Sequence, residues 1–428
     1  MTFLFCSSGQ ELPADILSIP AIVSNFNLHV IIRLPGGGVD SPCKAYILIT
    51  APETVKSTTA KINRNMNVFD GERMKIAQVS PLYESVPPRL YGGTERIVSY
   101  LTEELVHQGH NVTLFASGDS KTSAALVPCS KNSLRLDTTC LDPIPHHLVM
   151  LERVFSMARQ FDVIHFHTEY FHYAASRRCG QAHVTTLHGR LDIPDLVPLY
   201  REYSDIPVIS ISDAQRVPLP WLNWQGTVYH GLPLDMLPFN SHGGDYLAFL
   251  GRVSPEKGLD SAIAIAHKSG MNLKVAAKVD KTDWDYYDSK IKPLIDGRVV
   301  EYVGEINEEE KSTFLGNAAA LVFPIDWEEP FGLVMIEAMA CGTPVIAYPR
   351  GSVAEIVKDG VSGFVVRDID EAVHAVKAIS SLSRQRCRNY FEERFAATRM
   401  AEDYVAIYEQ MITDGKRPPV LNMGHRHH

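Results

Sequence analysis

Short β-rich runs alternate with helical patterns along most of the chain, and this alternation constrains the fold more than any other feature. From Met74, the strand-like run KIAQVS is followed by the helical segment TERIVSYLTEELVHQG and then by the strand-like run NVTLFAS. Within the helical segment Ile97, Leu101 and Leu105 recur at intervals of four, so they share one face. Such alternation predicts βαβ units with parallel strands.

The alternation is interrupted once and then restarts. Further strands are predicted at 162–167, 183–188, 207–212 and 226–231. The segment LPFNSHGGDY (237–246) has no apolar period and is typical of a linker. After it, six strand-like runs alternate with helices, ending with helices at 370–380 and about 384–412. The predicted fold class is therefore α/β, with two Rossmann-like parallel-sheet domains facing a cleft that binds ligands at the strands' carboxyl ends.

These patterns give the expected domain boundaries. Residues 74–240 form an N-terminal Rossmann-like domain, residues 241–392 a C-terminal one, and residues 393–428 a terminal helix that packs back, followed by a tail. Residues 1–73 differ, because RLPGGGVDSPCK is turn-rich and the following segment is polar without a period. We predict an N-terminal extension there, either poorly ordered or the product of a start assigned too far upstream; a packed hairpin is the alternative.

Charge and cysteine content exclude some classes of protein. The formal net charge of −9 disfavours sequence-independent binding of nucleic acid, which depends on phosphate neutralisation. The seven cysteines are dispersed without a C-x-x-C pair, which favours reduced thiols. No run approaches the ~18–20 apolar residues of a membrane span, and no secretory signal is evident. We therefore expect a cytoplasmic protein without a transmembrane segment.

Two glutamates, Glu329 and Glu337, lie in the segment DWEEPFGLVMIEAMACGTPVIA. Glu329 is in the loop after the strand AALVFPI, and Glu337 lies about one and a half turns into the helix that follows. A helix start favours anions, and carboxylates accept hydrogen bonds from vicinal hydroxyls. A nucleotide sugar has hydroxyls on both sides of a phosphate and suits this pair. An acid–base pair, metal ligands and two solvated charges are the alternatives.

The motif GRVSPEKG (251–258) supplies cations in the same half of the chain. It places Arg252 and Lys257 after the strand YLAFL. The guanidinium fork and the ammonium point charge both suit phosphate oxygens, so the two side chains can neutralise a diphosphate leaving group without a metal.

With these motifs the chain resembles the family-4 glycosyltransferases of the GT-B fold, from about Met74 to Gln410. The segments GRVSPEKG, EEPFGLVMIEAMACGTPVIA and GSVAEIVKDGVSGFVV carry the resemblance, and the opening MKIAQVSPLYESVPPRLYGGTER is similar to the subgroup that contains the avilamycin-pathway glycosyltransferase. The resemblance implies a retaining enzyme that transfers a sugar from a UDP- or GDP-sugar to an acceptor hydroxyl. It also implies that no metal or other cofactor is bound. The acceptor, whether polysaccharide, lipid-linked or small molecule, stays open.

The same resemblance implies roles for individual residues. Glu329 would hold hydroxyls of the donor sugar, and His188 in TTLHG would lie near its reactive carbon. Arg252 and Lys257 would bind the diphosphate, and Glu337 the ribose. The remaining substrate-binding positions are at predicted helix starts, where small residues let backbone amides approach phosphate: Gly92, Gly93, Phe331, Gly332 and Leu333.

Other candidate residues have a less specific meaning. The run HFHTEYFH places His165 and His167 on one face of a strand with Glu169 and His172 nearby, a pattern that could bind a metal. We favour the interpretation that this strand end lines the acceptor side of the cleft. Glu355 in GSVAEIV belongs to a family motif and is interpreted as fixing its own loop.

Rival functions use the same residues differently. A sugar-nucleotide epimerase or a phosphorylase would share the architecture, and a non-catalytic binder would keep the donor site. A glycosidase would use Glu329 and Glu337 as acid and nucleophile, but Arg252 and Lys257 speak against it. No G-x-G-x-x-G follows a strand, so a dinucleotide oxidoreductase is disfavoured.

Overall fold

In this computed structural model the described residues are 73–89 and 92–415, together with the backbone of two short strands. The chain divides into compact units at Met1–Glu72 and Arg73–His428. In the first unit, β1 (Leu17–Pro20) and β2 (His29–Ile32) pair antiparallel. The rest of that unit, and with it the predicted extension, lies outside the described residues, as do residues 90, 91 and 416–428.

The N-terminal domain of the second unit is a parallel sheet flanked by helices. Its strands are β3 (Lys75–Val79), β4 (Asn111–Ser117), β5 (Ala125–Ser130), β6 (Val163–Phe166), β7 (His183–Thr186), β8 (Pro207–Ser210) and β9 (Asn223–Thr227). They pair in the order β5-β4-β3-β6-β7-β8-β9. The helices are α1 (Gly93–His107), α2 (Ile144–Met157), α3 (Tyr173–Ser176) and α4 (Leu196–Glu202). The central strands β3, β6 and β7 are largely buried, as in a sheet covered on both faces, and they carry buried polar side chains as well as apolar ones.

The C-terminal domain repeats this architecture. Its strands are β10 (Tyr246–Arg252), β11 (Asn272–Lys278), β12 (Val300–Gly304), β13 (Ala320–Phe323), β14 (Val345–Ala347) and β15 (Gly363–Val365). They pair in parallel in the order β12-β11-β10-β13-β14-β15. The helices are α5 (Leu259–Ser269), α6 (Trp284–Tyr286), α7 (Glu308–Gly316), α8 (Leu333–Ala340), α9 (Val353–Ile356) and α10 (Ile369–Ala378). Across the described ranges no helix is long and apolar enough to span a bilayer.

The predicted fold class of two Rossmann-like parallel sheets is confirmed, but two predicted elements are wrong. The strand expected at 226–231 lies earlier, at β9, and the chain leaves the sheet after Val228, whose amide donates to the Ser210 carbonyl at 2.9 Å. The single helix expected at 384–412 is two helices, α11 (Arg384–Arg394) and α12 (Ala397–Gly415). Sequence patterns also missed β5 and α2.

The break between α11 and α12 is caused by a crossing of two chain segments. The amide of Leu232 donates to the Phe395 carbonyl at 2.9 Å, and the amide of Ala397 donates to the Leu232 carbonyl at 2.9 Å. A backbone that pairs with another segment cannot also continue the intrahelical ladder, so the helix ends there. Beyond the crossing, α12 buries Tyr404 and Tyr408 in the core of the N-terminal domain. The chain therefore returns from the second domain to the first.

Gly231 makes this crossing sterically possible, and Gly231→Ala should destabilise the protein. A Cβ at residue 231 would lie 2.7 Å from the carbonyl carbon of Ala396, so the crossing would have to move. Overpacking of this kind costs about 1–3 kcal/mol, which urea unfolding followed by circular dichroism would measure. Gly180→Ala is the matched control, because a Cβ there meets nothing within 4 Å. Equal losses in both variants would contradict the role of the crossing.

Candidate active site

Two adjoining cavities lie in the cleft where the carboxyl ends of the strands of both domains meet. One has a volume of about 750 Å³ and is lined by residues that follow β6, β7, β10 and β13. The other has a volume of about 200 Å³ and is lined largely by the C-terminal domain. Both cavities contact a shared set of residues: Gly92, Gly93, Leu250, Gly251, Leu333 and Val334. An elongated ligand can therefore extend from one cavity into the other.

The loop that carries Glu329 is hydrogen-bonded to the segment that directly precedes α9. The amide of Ser352 donates to the Glu329 carbonyl at 3.0 Å, and the Ser352 hydroxyl donates to the Phe331 carbonyl at 2.8 Å. Gly351 passes so close that a Cβ there would lie 2.8 Å from the carbonyl carbon of Glu328. Two of the motifs that carry the family resemblance are thus one packed unit, in which GSVAEIV supports EEPFG.

The Glu329 carboxylate lies in the larger cavity and has two donors. Lys257 Nζ is 2.5 Å from Glu329 Oε2, and the Trp327 indole Nε1 donates to the same oxygen at 3.1 Å. Lys257 also lies over the Trp327 ring, with Nζ 4.8 Å from the centroid. A charge-assisted bond of this kind orients the carboxylate and leaves its other oxygen for a ligand. Lys257 and Glu329, which are 72 positions apart in sequence, therefore form one ion pair in the larger cavity.

The position of Lys257 depends on the glycine that follows it. Gly258 has a φ of 67°, in the left-handed region, and connects the turn Pro255–Lys257 to α5. A Cβ there would lie 3.0 Å from the carbonyl carbon of Pro324 and closer still to its oxygen. Only glycine accommodates both requirements without strain. The glycine at the end of GRVSPEKG thus packs the lysine turn against the loop that leads to Glu329.

Arg252 also lies at the larger cavity, at the carboxyl end of β10, but carboxylates of its own domain surround it. It pairs with Glu256 and lies 3.7 Å from Asp283 and 3.9 Å from Asp280. The side chain is 38% exposed, so solvent screens these pairs. A diphosphate would have to exchange with some of these contacts, whereas Lys257 already points to the predicted sugar-binding glutamate.

Glu337 lies in the smaller cavity and belongs to a charge network that joins the domains. Its Oε1 is 2.7 Å from Lys311 Nζ, and Lys311 is also 3.2 Å from Glu308. Glu308 in turn pairs with Arg96, on α1 of the N-terminal domain. Glu337 is only 4% exposed, and its ion pair with Lys311 is therefore largely shielded from solvent. The structure therefore separates the two glutamates into adjoining cavities.

The starts of α1 and α8 face each other across the cleft. A Cβ at Gly93 would lie 3.6 Å from Leu333 Cδ1, so the first turns almost touch. Gly332, the residue before α8, has a φ of 78°, and no side chain caps the helix. Gly92 has a φ of 155°, and a Cβ there would lie 2.8 Å from Pro88 Cβ. Two positive helix ends with glycine at their starts form a region suited to an anion.

His188 follows β7 and faces the larger cavity as a neutral ring. Its Nε2 is 2.8 Å from His167 Nδ1, and its ring stacks on His230 with centroids 5.4 Å apart. Burial lowers the pKa of His188 to about 3. At pH 7 the ring is therefore a hydrogen-bonding group and not a cation. His230 in turn packs on Phe331, with ring centroids 4.7 Å apart.

The histidines weighed as a metal site are satisfied by protein groups. His167 lines the larger cavity, as the strand-end interpretation expects, whereas His165 and His172 lie behind it in the core. Their ring nitrogens have partners at 2.5–2.8 Å, namely Tyr408, Thr186, Gln78, His188, Ser176 and Thr185. Within 73–89 and 92–415, no group of three or more His, Cys, Asp or Glu side chains is placed to hold a metal ion.

Glu169, which the sequence placed only beside the candidate metal ligands, is a site residue with a different role. Its Oε1 accepts from the amides of His188 at 2.9 Å and of Gly189 at 3.2 Å, which fixes the loop that presents His188. Its backbone φ of 50° is rare outside glycine, and burial raises the pKa of its carboxyl to about 7. The sequence feature that could have indicated this role is the position of Glu169 directly after HFHT, at the carboxyl end of a predicted strand.

Glu355 does not only fix its own loop. Its carboxylate accepts from the amides of Asp213 at 2.8 Å and Ala214 at 2.7 Å, and from the Tyr229 hydroxyl at 3.0 Å. All three donors precede the linker, in the N-terminal half of the chain. Glu355 therefore ties the C-terminal domain to the N-terminal domain, a role that sequence spacing did not indicate.

Two family models match this chain. The one described as Glycosyltransferase Family 4 matches residues 91–224, and the one described as Glycosyl transferases group 1 matches residues 239–396. The matches fall on the first and second domain respectively. Among curated relatives, the glycogen synthase of Mycobacterium tuberculosis is 30% identical over 177 residues, which cover 37% of this chain and 42% of that enzyme. The match thus spans less than half of that relative's length.

Solved glycosyltransferase structures share this fold over 79% of the chain. AviGT4, a glycosyltransferase involved in avilamycin A biosynthesis, superposes with a TM-score of 0.61 at 24% identity, over 79% of this chain and 98% of that chain. HepE of Anabaena, solved in complex with UDP and glucose, gives a TM-score of 0.62 at 17% identity, over 79% of this chain and all (100%) of that chain. At these identities the likeness establishes the fold.

Proposed function

The chain belongs to the family-4 glycosyltransferases of the GT-B fold, and from this premise we propose that it transfers a sugar from a nucleotide-sugar donor to an acceptor hydroxyl with retention of configuration. The observation that carries the proposal is the placement of Glu329 and Glu337 in adjoining cavities on either side of the facing helix starts. A sugar, a diphosphate and a ribose follow one another in the same order along a nucleotide sugar.

Each part of the donor then has a binding group. Glu337 in the smaller cavity binds the ribose hydroxyls, and Glu329 in the larger cavity binds the hydroxyls of the sugar. The diphosphate lies between them, at the first turns of α1 and α8. UDP-sugars are the first donors to test, because HepE, which has the same fold, was solved with UDP and glucose.

The chemical step requires stabilisation of the leaving diphosphate. Negative charge grows on its terminal oxygens as the bond to the sugar breaks, and fixed positive groups placed there lower the barrier. Lys257, Arg252 and the amides of the helix starts supply that charge, so we propose a reaction without a metal. The neutral His188 ring hydrogen-bonds to the sugar near the reacting carbon, and the acceptor approaches from the N-terminal domain. We also propose a cytoplasmic location, which the five free cysteines among the described residues support.

UDP should raise the melting temperature of the full chain in the presence of EDTA, because a ligand that binds only the folded state stabilises it. At 100 times its dissociation constant, UDP would add about 2.7 kcal/mol. Glu337→Ala should abolish this shift, since the ribose loses its carboxylate acceptor. Differential scanning fluorimetry against UDP, GDP and ADP makes the measurement.

The control for this experiment is Glu309→Ala, which removes an exposed glutamate from the neighbouring helix α7. It should keep the full shift. A well-folded protein that shifts with none of the nucleotides would contradict the donor site. Consumption of a UDP-sugar without any acceptor would instead favour the epimerase, and a requirement for inorganic phosphate would favour the phosphorylase.

The charges on the acceptor side favour an uncharged acceptor. Both described arginines of the N-terminal domain that line the larger cavity are paired with carboxylates. Arg135 pairs with Glu84, and Arg190 makes two hydrogen bonds to Asp192, at 2.6 and 2.7 Å. Two further carboxylates, Glu95 and Glu169, line the same cavity. The aromatic residues Tyr83, Tyr170 and Phe171 complete this wall. Such a wall suits a hydroxylated acceptor, a sugar or a polyol, better than a phosphorylated one.

With a UDP-sugar donor that passes the binding test, kcat/KM should be at least about tenfold higher for a monosaccharide acceptor than for its monophosphate, because like charges facing each other cost several kcal/mol. The assay is run at pH 8, above the pKa of Glu95 and Glu169, which burial raises to about 7. UDP release measures the rate. Asp192→Asn, which releases Arg190, should reduce the preference, whereas Asp205→Asn, next to the remote Arg177, should not. A wild-type preference for the monophosphate would contradict the proposal.

A further inference from the structure

A continuous chain of hydrogen bonds runs from His188 through the core of the N-terminal domain to the terminal helix α12. Its six links join neighbouring side chains over distances of 2.6–3.1 Å. In order from the cleft, the members are His188, His167, Gln78, Tyr408, His165, Thr186 and Tyr404. They come from β3, β6, β7, the loops after β6 and β7, and α12, and they meet only because α12 returns to the first domain.

The members behind His188 are buried, so each polar atom depends on its neighbour in the chain. Gln78, His165, Thr186 and Tyr408 are completely buried, and His167 is 1% exposed. A buried donor or acceptor left without a partner costs the desolvation of that group. Each hydroxyl has a single proton to donate. Each imidazole is neutral, because burial lowers the pKa of His165 and His167 well below the usual range, and so it also has a single N–H.

Because of these constraints, all six hydrogen bonds must run in one direction, with each side chain donating to the next member of the series. In the orientation that the structure gives the Gln78 amide, Nε2 donates to the Tyr408 oxygen at 3.1 Å, and the Tyr408 proton is then available to His165 Nδ1 at 2.6 Å. On the other side, Gln78 Oε1 is 2.8 Å from His167 Nε2, which must therefore carry the ring proton. His167 Nδ1 is then an acceptor, and the proton in its 2.8 Å bond to His188 comes from His188 Nε2.

We propose that Tyr408 is a positioning residue for His188, acting through Gln78 and His167 to fix which ring nitrogen of His188 carries the proton. With its own proton bonded to His165, the Tyr408 oxygen accepts from the Gln78 amide and holds it in the orientation seen, and that orientation selects the tautomer of His167. His188 is thereby kept as the Nε2–H tautomer, with an unprotonated Nδ1 that can accept a hydrogen bond but cannot donate one. The link to catalysis rests on the proposed function, whereas the tautomer itself does not.

The return of α12 to the N-terminal domain is what brings Tyr408 into contact with Gln78. α12 follows the C-terminal domain in sequence, but its Tyr408 lies in the core of the N-terminal domain, behind the histidines that line the larger cavity. His188 Nδ1 suits a hydroxyl of the donor sugar or of the acceptor, since both offer a proton. If the tautomer of His188 varied, some molecules would carry the proton on Nδ1. In those molecules Nδ1 could not accept the hydrogen bond that the ligand hydroxyl donates.

The first test uses the wild-type full chain and no ligand. The protein is labelled with ¹⁵N-histidine, and long-range proton–nitrogen NMR spectra report which ring nitrogen is protonated, with His188 assigned from the His188→Gln spectrum. The Nε2–H tautomer is expected for both His188 and His167. A His188 ring protonated at Nδ1, or a doubly protonated ring at pH 7, would overturn the proposal whether or not the protein transfers sugar.

The second test is Tyr408→Phe, with Tyr404→Phe as the matched control. Both tyrosines are buried on α12 and each variant loses one hydroxyl, but the Tyr404 hydroxyl joins the hydrogen-bond chain at its far end, at Thr186, 3.0 Å away. Tyr408→Phe should yield a mixture of His188 tautomers and lower kcat about tenfold with the donor KM unchanged. Tyr404→Phe should lose similar stability yet keep the wild-type tautomer and kcat. Equal effects of the two variants on the tautomer and on kcat would show a structural role only and overturn the proposal.

Discussion

The backbone bridge between Leu232 and Ala396 is the contact on which the arrangement of the two domains depends. It places the crossing of the chain beside the linker, ends α11 and directs α12 back onto the N-terminal sheet. Close to it, the Glu355 carboxylate receives two amides and a hydroxyl from the first domain. These contacts hold the domains together beside the linker, and the Arg96–Glu308 ion pair joins them again within the cleft.

Within the cleft, the charges are arranged before any ligand arrives. Lys257 holds Glu329, Lys311 holds Glu337, and carboxylates surround Arg252. Lys257 and Lys311 each neutralise a largely buried carboxylate, whereas Arg252 would have to exchange carboxylate contacts for those of a diphosphate. Fixed groups of this kind need little reorganisation when a charged ligand binds, which is the condition under which electrostatic stabilisation of a leaving group is most effective.

Local sequence was sufficient to predict the parallel sheets and to place several motif residues at one edge of the second sheet. Lys257, Gly332 and Glu337 lie in short motifs next to strand ends, and parallel strands bring their carboxyl ends to one edge. The strand expected at 226–231 and the single terminal helix were wrong because both depend on a backbone bridge between residues 164 positions apart, which leaves no periodicity in either segment.

Two roles that sequence reasoning missed, those of Tyr408 and Glu355, depend on partners in distant parts of the chain. From the sequence, Tyr408 is predicted only to be a core aromatic on the apolar face of a helix. The fold shows that its hydroxyl contacts Gln78, 330 positions away. Glu355 and its amide partners are likewise more than 140 positions apart. Such contacts depend on how the domains are connected, and no single segment encodes them.

The central claim is that Glu329 binds the sugar of a nucleotide sugar while the rest of the cleft binds the nucleotide. Isothermal titration calorimetry of the wild type and of Glu329→Gln with UDP and with UDP-glucose tests it most directly. The account predicts that the substitution weakens UDP-glucose about tenfold, because a charge-assisted bond to a sugar hydroxyl is lost, and leaves the affinity for UDP unchanged. An equal loss for both ligands, or no loss for either, would contradict the assignment of Glu329 to the sugar.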